Sequence, residues 1–309
     1  MRRSLPVGSI VADSTRRPGR PIGAGPAGPG GREPGSPAGR GRGPGHGAGS
    51  IPSVTAPILQ GAEPWSAAGG SNGVLVLHGF TGNPQSMRPV AEALAAAGLT
   101  VELPLLPGHG TALEDMVPTR WEDWSGAAEA HFQALAARCD HVAVVGLSMG
   151  GALTCWLAER HPHVSGIAVI NPLVHAPDAE FRSGIQALLD AGTETFDGIG
   201  SDIKKEGSVE AAYGGTPLAA VLSLFEGADE VEAKLADIHC PTLVLSSRED
   251  HVVESVSGDV VEQHVAGPVE RIWLEDSYHV ATLDNDAPLI EAKVVEFVTT
   301  VLGGPGVGT

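Results

Sequence analysis

Cysteine is scarce in this chain. Only Cys139, Cys155 and Cys240 occur in 309 residues, an odd number at spacings that match no metal-ligand pattern, and each lies inside or beside an apolar segment. They read as buried free thiols in a reducing compartment, not as a disulfide framework. No run approaches the roughly 18 consecutive apolar residues of a membrane-spanning helix, so the sequence predicts a chain that stays in water, with no stable membrane insertion. Positive charge is also missing from most of the chain. The first 50 residues carry eight arginines against Asp13 and Glu33, a charge of +8 − 2 = +6, and the whole chain carries −18. That leaves −18 − 6 = −24 for the remainder. So acidic a body argues against nucleic acid and anionic lipid as partners and favours a neutral or cationic small substrate.

Those first 50 residues also lack any hydrophobic period. They are Arg, Gly and Pro in short repeats, a composition that cannot bury enough surface to offset its ordering entropy, and they read as a disordered tail. Arg2-Arg3 and Arg16-Arg17 invite an export-signal reading, but the stretch after Arg17, PGRPIGAGPAGPGGR, contains no apolar h-region. Residues 51–309, in a chain 42% apolar, are long enough for one large core and read as one α/β domain.

The informative stretch is His141 to Gly151, HVAVVGLSMGG. A strand-like run, His141 to Val145, enters Gly146-Leu147-Ser148-Met149-Gly150, and a helix-like run, Gly151 to Arg160, leaves it. A G-x-S-x-G in strand–turn–helix context holds its serine on a sharp turn above the sheet edge, with the following N–H at the positive end of a helix. Ser148 is the candidate nucleophile and Met149 N–H a candidate oxyanion donor.

Around it, strand and helix alternate. Pro57 to Gln60 is a possible edge strand. Gly73 to Leu77, GVLVL, suits a sheet covered on both faces and delivers His78-Gly79-Phe80-Thr81-Gly82, whose Phe80 N–H is the natural second oxyanion donor. His78, at a strand end, reads as a hydrogen-bonded structural residue. Met87 to Ala97 is a helix stopped by Gly98, Thr100 to Pro104 a strand, Leu105 to Gly110 a structural loop, Trp121 to Arg138 an amphipathic helix and Gly166 to Ile170 another buried strand. Short βαβα connections predict a mostly parallel, doubly wound sheet with its ligand at the carboxyl ends of the strands. Between Asn171 and about Asp237 the rhythm breaks into a Gly-rich stretch with helices at Phe181 to Ala191 and Pro217 to Phe225, a candidate cap over those strand ends. The sheet resumes at Pro241 to Ser246 and ends in Ser247-Arg248-Glu249-Asp250-His251. A carboxylate just past a strand end is where such a sheet keeps the acid that orients a histidine. Asp250 is the choice, with Glu249 its neighbouring competitor and His251 a neighbouring decoy. The strand Glu270 to Trp273 then leads to His279, which completes the order Ser, Asp, His, and Pro288 to Val301 closes the chain as a helix.

HGFTGN, GLSMGG, EDHVV and SYHVATLD, with the cap segments from Ile199 to Ile203 and from Ala212 to Pro217, resemble the bacterial monoacylglycerol lipases of the α/β-hydrolase superfamily and the related small bacterial carboxylesterases. The resemblance runs from about residue 70 to the C-terminus. It implies an α/β-hydrolase fold with a small cap after the strand that follows the nucleophile helix. It also implies a Ser148, Asp250, His279 triad, an oxyanion hole of Phe80 and Met149, an acyl-pocket residue in Ile199, a glycerol-binding carboxylate in Glu210, a lipid ester as substrate, and no metal or organic cofactor. The triad motifs alone imply an esterase; the cap segments are what point to monoacylglycerols. One departure is the charged KKEGSV between Ile203 and Glu210, which bears on the path of the cap loop.

Overall fold

The computed structural model describes residues 56–198 and 200–303; the N-terminal segment expected to be a disordered tail lies outside the described residues, and so does Ile199.

Seven strands form one sheet. They are β1 (Trp65–Ala67), β2 (Asn72–Leu77), β3 (Thr100–Leu103), β4 (His141–Leu147), β5 (Val164–Ile170), β8 (Thr242–Ser247) and β9 (Val269–Leu274), and they lie side by side in the order β1-β3-β2-β4-β5-β8-β9. Only β1 is antiparallel, pairing Ser66 with Glu102 of β3. The expected edge strand at Pro57 to Gln60 does not form: Ile58 and Leu59 are exposed and irregular, and the true edge is β1, in a stretch with no apolar alternation to mark it.

The inner strands are apolar because both faces are covered. Leu75 and Leu77 of β2, Val142 and Val144 of β4, Ile167 and Val169 of β5 and Val244 of β8 point to one side. There they pack on α3 (Trp121–Ala136), α4 (Met149–Arg160) and α6 (Leu218–Glu232). Val74, Val76, Ala143, Val145, Ala168, Ile170, Leu243 and Leu245 point to the other, against α1 (Arg88–Ala96) and α8 (Ala287–Val301). The two-residue side-chain period of the strand thus supplies two cores from one sheet.

The segment between β5 and β8 holds α5 (Ala179–Asp190), a small hairpin of β6 (Thr195–Asp197) and β7 (Gly215–Pro217), and α6. Helix α6 joins the main helical layer: a Cβ on Gly227 would lie 2.1 Å from Trp121 Cδ2 of α3, and Ser223 Oγ accepts the Trp121 N–H at 3.1 Å. A short helix α2 (Leu113–Met116) follows β3, and α7 (Val256–His264) links β8 to β9.

Candidate active site

Every candidate residue follows the carboxyl end of a parallel strand or sits on the segment inserted after β5. Ser148 leaves β4 with φ 56° and ψ −117°, a conformation costing about 1–3 kcal/mol in a non-glycine residue. It is held there by its neighbours: Ser148 N donates to Ile170 O at 3.0 Å, and Ser148 O accepts from Gly151 N, Ala152 N and Leu173 N at 2.9–3.1 Å. The flanking glycines are steric necessities, since a Cβ on Gly146 would fall 2.0 Å from Gly150 O and one on Gly150 2.2 Å from Leu77 O. Gly79 also lies against the elbow, its absent Cβ 3.3 Å from Ser148 Cβ. The HGF turn after β2 and the first turn of α4 therefore converge on Ser148, bringing Phe80 and Met149 to it. Met149 opens α4, so its N–H is among the first-turn donors that a helix leaves unpaired.

His279 and Asp250 meet directly. His279 Nδ1–H donates to Asp250 Oδ2 at 2.8 Å, which leaves Nε2 as the basic nitrogen. Asp250 Oδ1 accepts from Val252 N and Val253 N at 2.9 and 2.8 Å, and the carboxylate is almost fully buried. The neighbours face elsewhere: Glu249 is exposed and takes Lys204 Nζ at 3.2 Å, and His251 is exposed with Nδ1 2.8 Å from Asp202 Oδ1. Burial pulls the His279 pKa down, but the charge and hydrogen bond of Asp250, aided by Asp202 and Glu210, outweigh it and hold the imidazole above its ordinary value.

His78 is structural, as its position suggests. Its Nδ1–H donates to the Gly79 carbonyl at 2.9 Å, its Nε2 accepts from Leu106 N at 3.1 Å, and burial, with His109 adding to it, drives its pKa down to about 3. A neutral ring pins the loop after β3 beneath the HGF turn. His109 of the LLPGHG loop is similarly buried and pushed down to about 4.

Glu210 belongs to the inserted segment and reaches over the site. Its Oε1 lies 2.6 Å from where a Gly82 Cβ would sit, Ser86 hydrogen-bonds its carboxylate, and it acts electrostatically on His279. Burial raises its pKa. Its backbone is tied by Glu210 N to Ser201 Oγ at 2.9 Å. The charged 204–209 run is anchored as well, by Lys204 N and Lys205 N to Asp284 at 2.7 and 2.8 Å.

Three residues that motif reading does not single out hold the His279 loop. Asn171, with φ 42°, closes β5; its Nδ2 donates to His279 O at 2.8 Å and to Ser247 Oγ at 3.0 Å, and its Oδ1 accepts Ser247 N at 2.7 Å. Asp284 is fully buried and accepts four backbone N–H groups, from Lys204, Lys205, Tyr278 and Asn285, at 2.7–2.8 Å. Asp202 accepts His279 N at 3.0 Å. The one local signal for Asn171 is a residue tolerant of positive φ directly after an apolar strand; Asp202 and Asp284 lie inside the segments Ile199 to Ile203 and SYHVATLD, where the resemblance gave them no role of their own.

Among the described residues no group of three or more His, Cys, Asp or Glu side chains is placed to hold a metal ion, and the three cysteines are unpaired. Nor is any described helix long and apolar enough to cross a membrane.

This sheet order, with a strained serine after β4, a carboxylate after β8 and its histidine after β9, defines an α/β hydrolase. The chain belongs to the family described as serine aminopeptidase, S33, whose model matches residues 71–286. It is 46% identical over 245 residues to a thermostable monoacylglycerol lipase of Bacillus sp. (strain H-257), covering 78% of this chain and 96% of that one. It is 29% identical over 238 residues to a carboxylesterase of Bacillus subtilis (strain 168), covering 76% and 96%. Among solved structures, a chain from a study of LipS and LipT, two metagenome-derived lipolytic enzymes, superposes with a TM-score of 0.76 at 42% identity, over 79% of this chain and all of that one.

Proposed function

We propose that the protein is a serine ester hydrolase that cleaves monoacylglycerols to glycerol and free fatty acid. The observations that carry the chemistry are the buried Asp250–His279 pair that follows β8 and β9 and the elbow serine at positive φ that follows β4 of the same sheet. The relative at 46% identity, matched over nearly all of its own length, supports the substrate class.

In this reading His279 Nε2 takes the Ser148 proton as Oγ attacks the ester carbonyl. Asp250 fixes the imidazole tautomer and stabilises the imidazolium. Phe80 and Met149 N–H groups receive the developing oxyanion, each contributing about 3 kcal/mol. The imidazolium then protonates the departing glycerol oxygen, and water activated by the same imidazole hydrolyses the acyl-enzyme. Every proton is moved by side chains of this chain. Glu210, over the site, accepts the two free glycerol hydroxyls, and the segment between β5 and α6 acts as a lid. For Ile199 the acyl-pocket role rests on the resemblance of the cap segment alone. Three unpaired thiols fit a reducing compartment, and we place the enzyme in the cytoplasm.

The test is a rate comparison at matched acyl length: 1-monolauroylglycerol against di- and trilaurin, p-nitrophenyl laurate and an aminoacyl p-nitroanilide. A clear preference for the monoester is expected. Comparable rates on any laurate ester would instead favour a general carboxylesterase, the reading that the Bacillus subtilis relative supports, and a preference for the anilide would favour peptidase chemistry.

A further inference from the structure

We propose that Asp202, carried by the inserted segment, is a positioning residue for His279: it clips the backbone of the histidine loop and places a second negative charge behind the imidazole.

The geometry is specific. Asp202 Oδ2 accepts the His279 N–H at 3.0 Å, and Asp202 O accepts the Val280 N–H at 3.0 Å, so two consecutive amides of the histidine loop end on one residue of the insertion. The other carboxylate oxygen, Oδ1, takes His251 Nδ1 at 2.8 Å, and His251 N reaches Oδ2 at 3.2 Å. His279 is thus gripped from two sides, its ring by Asp250 from the β8 loop and its backbone by Asp202 from the insertion. The Asp202 side chain is only 11% exposed, so its charge is poorly screened where His279 sits. The groups that act on the His279 charge are Asp250, Asp202 and Glu210, all acidic. His251 meets Asp202 from outside, its own pKa raised chiefly by that hydrogen bond. Lys204, the next base along the insertion, is engaged by Glu249 and Asp276.

If the insertion moves, both loop hydrogen bonds go with it. The arrangement makes the poise of the base depend on the insertion being seated. It rests on Ser148, His279 and Asp250 being the ester-cleaving machinery.

The experiment is the pH dependence of kcat and kcat/KM on 1-monolauroylglycerol at low salt, for wild type, Asp202→Asn, Asp202→Ala and His251→Gln. Asp202→Asn keeps an oxygen acceptor for the His279 and His251 amides, removes the charge, and puts an N–H donor in place of the oxygen that faces His251 Nδ1. Its acid limb should move to lower pH by about half a unit to one unit with KM little changed. Asp202→Ala also removes the side-chain half of the clip, leaving the backbone bond from Val280 N to Asp202 O, and should in addition lower the plateau kcat, by roughly ten-fold or more. His251→Gln, at an exposed position, removes an imidazole that is positive whenever it is protonated, and should move the limb the other way, to higher pH. A purely structural Asp202 would lower the melting temperature and leave the limb in place; an unshifted limb in both Asp202→Asn and His251→Gln overturns the proposal. His279→Ala is run beside them. An inactive His279→Ala with unshifted limbs sinks the Asp202 role alone, while an active one overturns the underlying assignment as well.

Discussion

Ser148 occupies a conformation that only a network of backbone hydrogen bonds makes tolerable, and such local strain is retained where the side chain has work to do. Two outcomes are expected at this scale. Asp250→Asn should lower kcat by about three orders of magnitude or more, because the tautomer that leaves Nε2 basic is lost, whereas Glu249→Gln, on the surface with Lys204, should stay within a few-fold of wild type. Steady-state rates on any ester read the difference, and the reverse ranking would reassign the acid. The second concerns pH. In the proposed mechanism activity needs neutral His279, and its pKa is held above the ordinary histidine value, so kcat/KM should fall through a limb lying above about 6.5 as pH drops. A limb below that value would mean that burial outweighs the acidic neighbours. Much of this was legible in the sequence, since Ser148, Asp250 and His279 each follow a strand in a fixed order. The roles of Asn171, Asp202 and Asp284 were not: each holds a backbone group 77 to 108 residues away, at His279 O, His279 N and Lys204 N in turn, and one hydrogen-bonding side chain in a loop looks like any other until the chain is folded.

At the scale of elements, the loops and not the strands decide whether the site assembles. Asp284 gathers four amides from the insertion, the histidine loop and its own turn into one buried carboxylate. Asp284→Ala leaves those donors buried without a partner. The expected cost is about 3 kcal/mol, or roughly 6–12 °C in Tm for a domain of this size, with a larger fall in activity than Tm alone would suggest. A change under about 2 °C by calorimetry would show that water replaces the carboxylate freely. The sequence pattern found the buried strands and most of the long helices to within a few residues, because apolar runs and amphipathic periods are local, but it ended α6 at Phe225 where the helix runs on to Glu232. It missed α7, whose short, mixed VSGDVVEQH has little apolar periodicity; Ser257 ties that helix to the loop after β5, donating to Pro172 O and accepting Val174 N. It missed the β6–β7 hairpin too, three residues a strand, and placed the edge strand several residues early.

Over the whole molecule, one buried acid lies far from the chemistry. Glu159, at the opposite end of α4 from Ser148, is pushed up to about 8 by burial, which outweighs Arg160 and Lys234. Arg160 is shared with Glu230 at 2.6 Å and stacked 3.9 Å over Trp156, and Glu159 Oε1 has no partner. The folded state binds this proton more tightly than the unfolded one, and that fixes the sign. Stability is undiminished below about pH 4.5 and is lost progressively as pH rises toward 8, by on the order of 2–4 kcal/mol at the end. Glu159→Gln should therefore match wild type near pH 5 and melt several degrees higher at pH 9, by calorimetry. Equal melting at pH 9 would place the ionised carboxylate comfortably in its site.

The substrate assignment turns on Glu210, the carboxylate that the insertion holds beside His279 and the HGFTG loop. The most direct measurement is kcat/KM of Glu210→Ala at the alkaline plateau, where loss of its charge no longer alters His279 protonation, on 1-monolauroylglycerol and on p-nitrophenyl laurate. Each charge-assisted hydrogen bond to a glycerol hydroxyl is worth about 1.5–3 kcal/mol, so the monoacylglycerol rate should fall roughly 10- to 150-fold. The p-nitrophenyl ester, with no hydroxyl to offer, should change no more than a few-fold. Equal losses on both substrates, or none on either, would contradict the account.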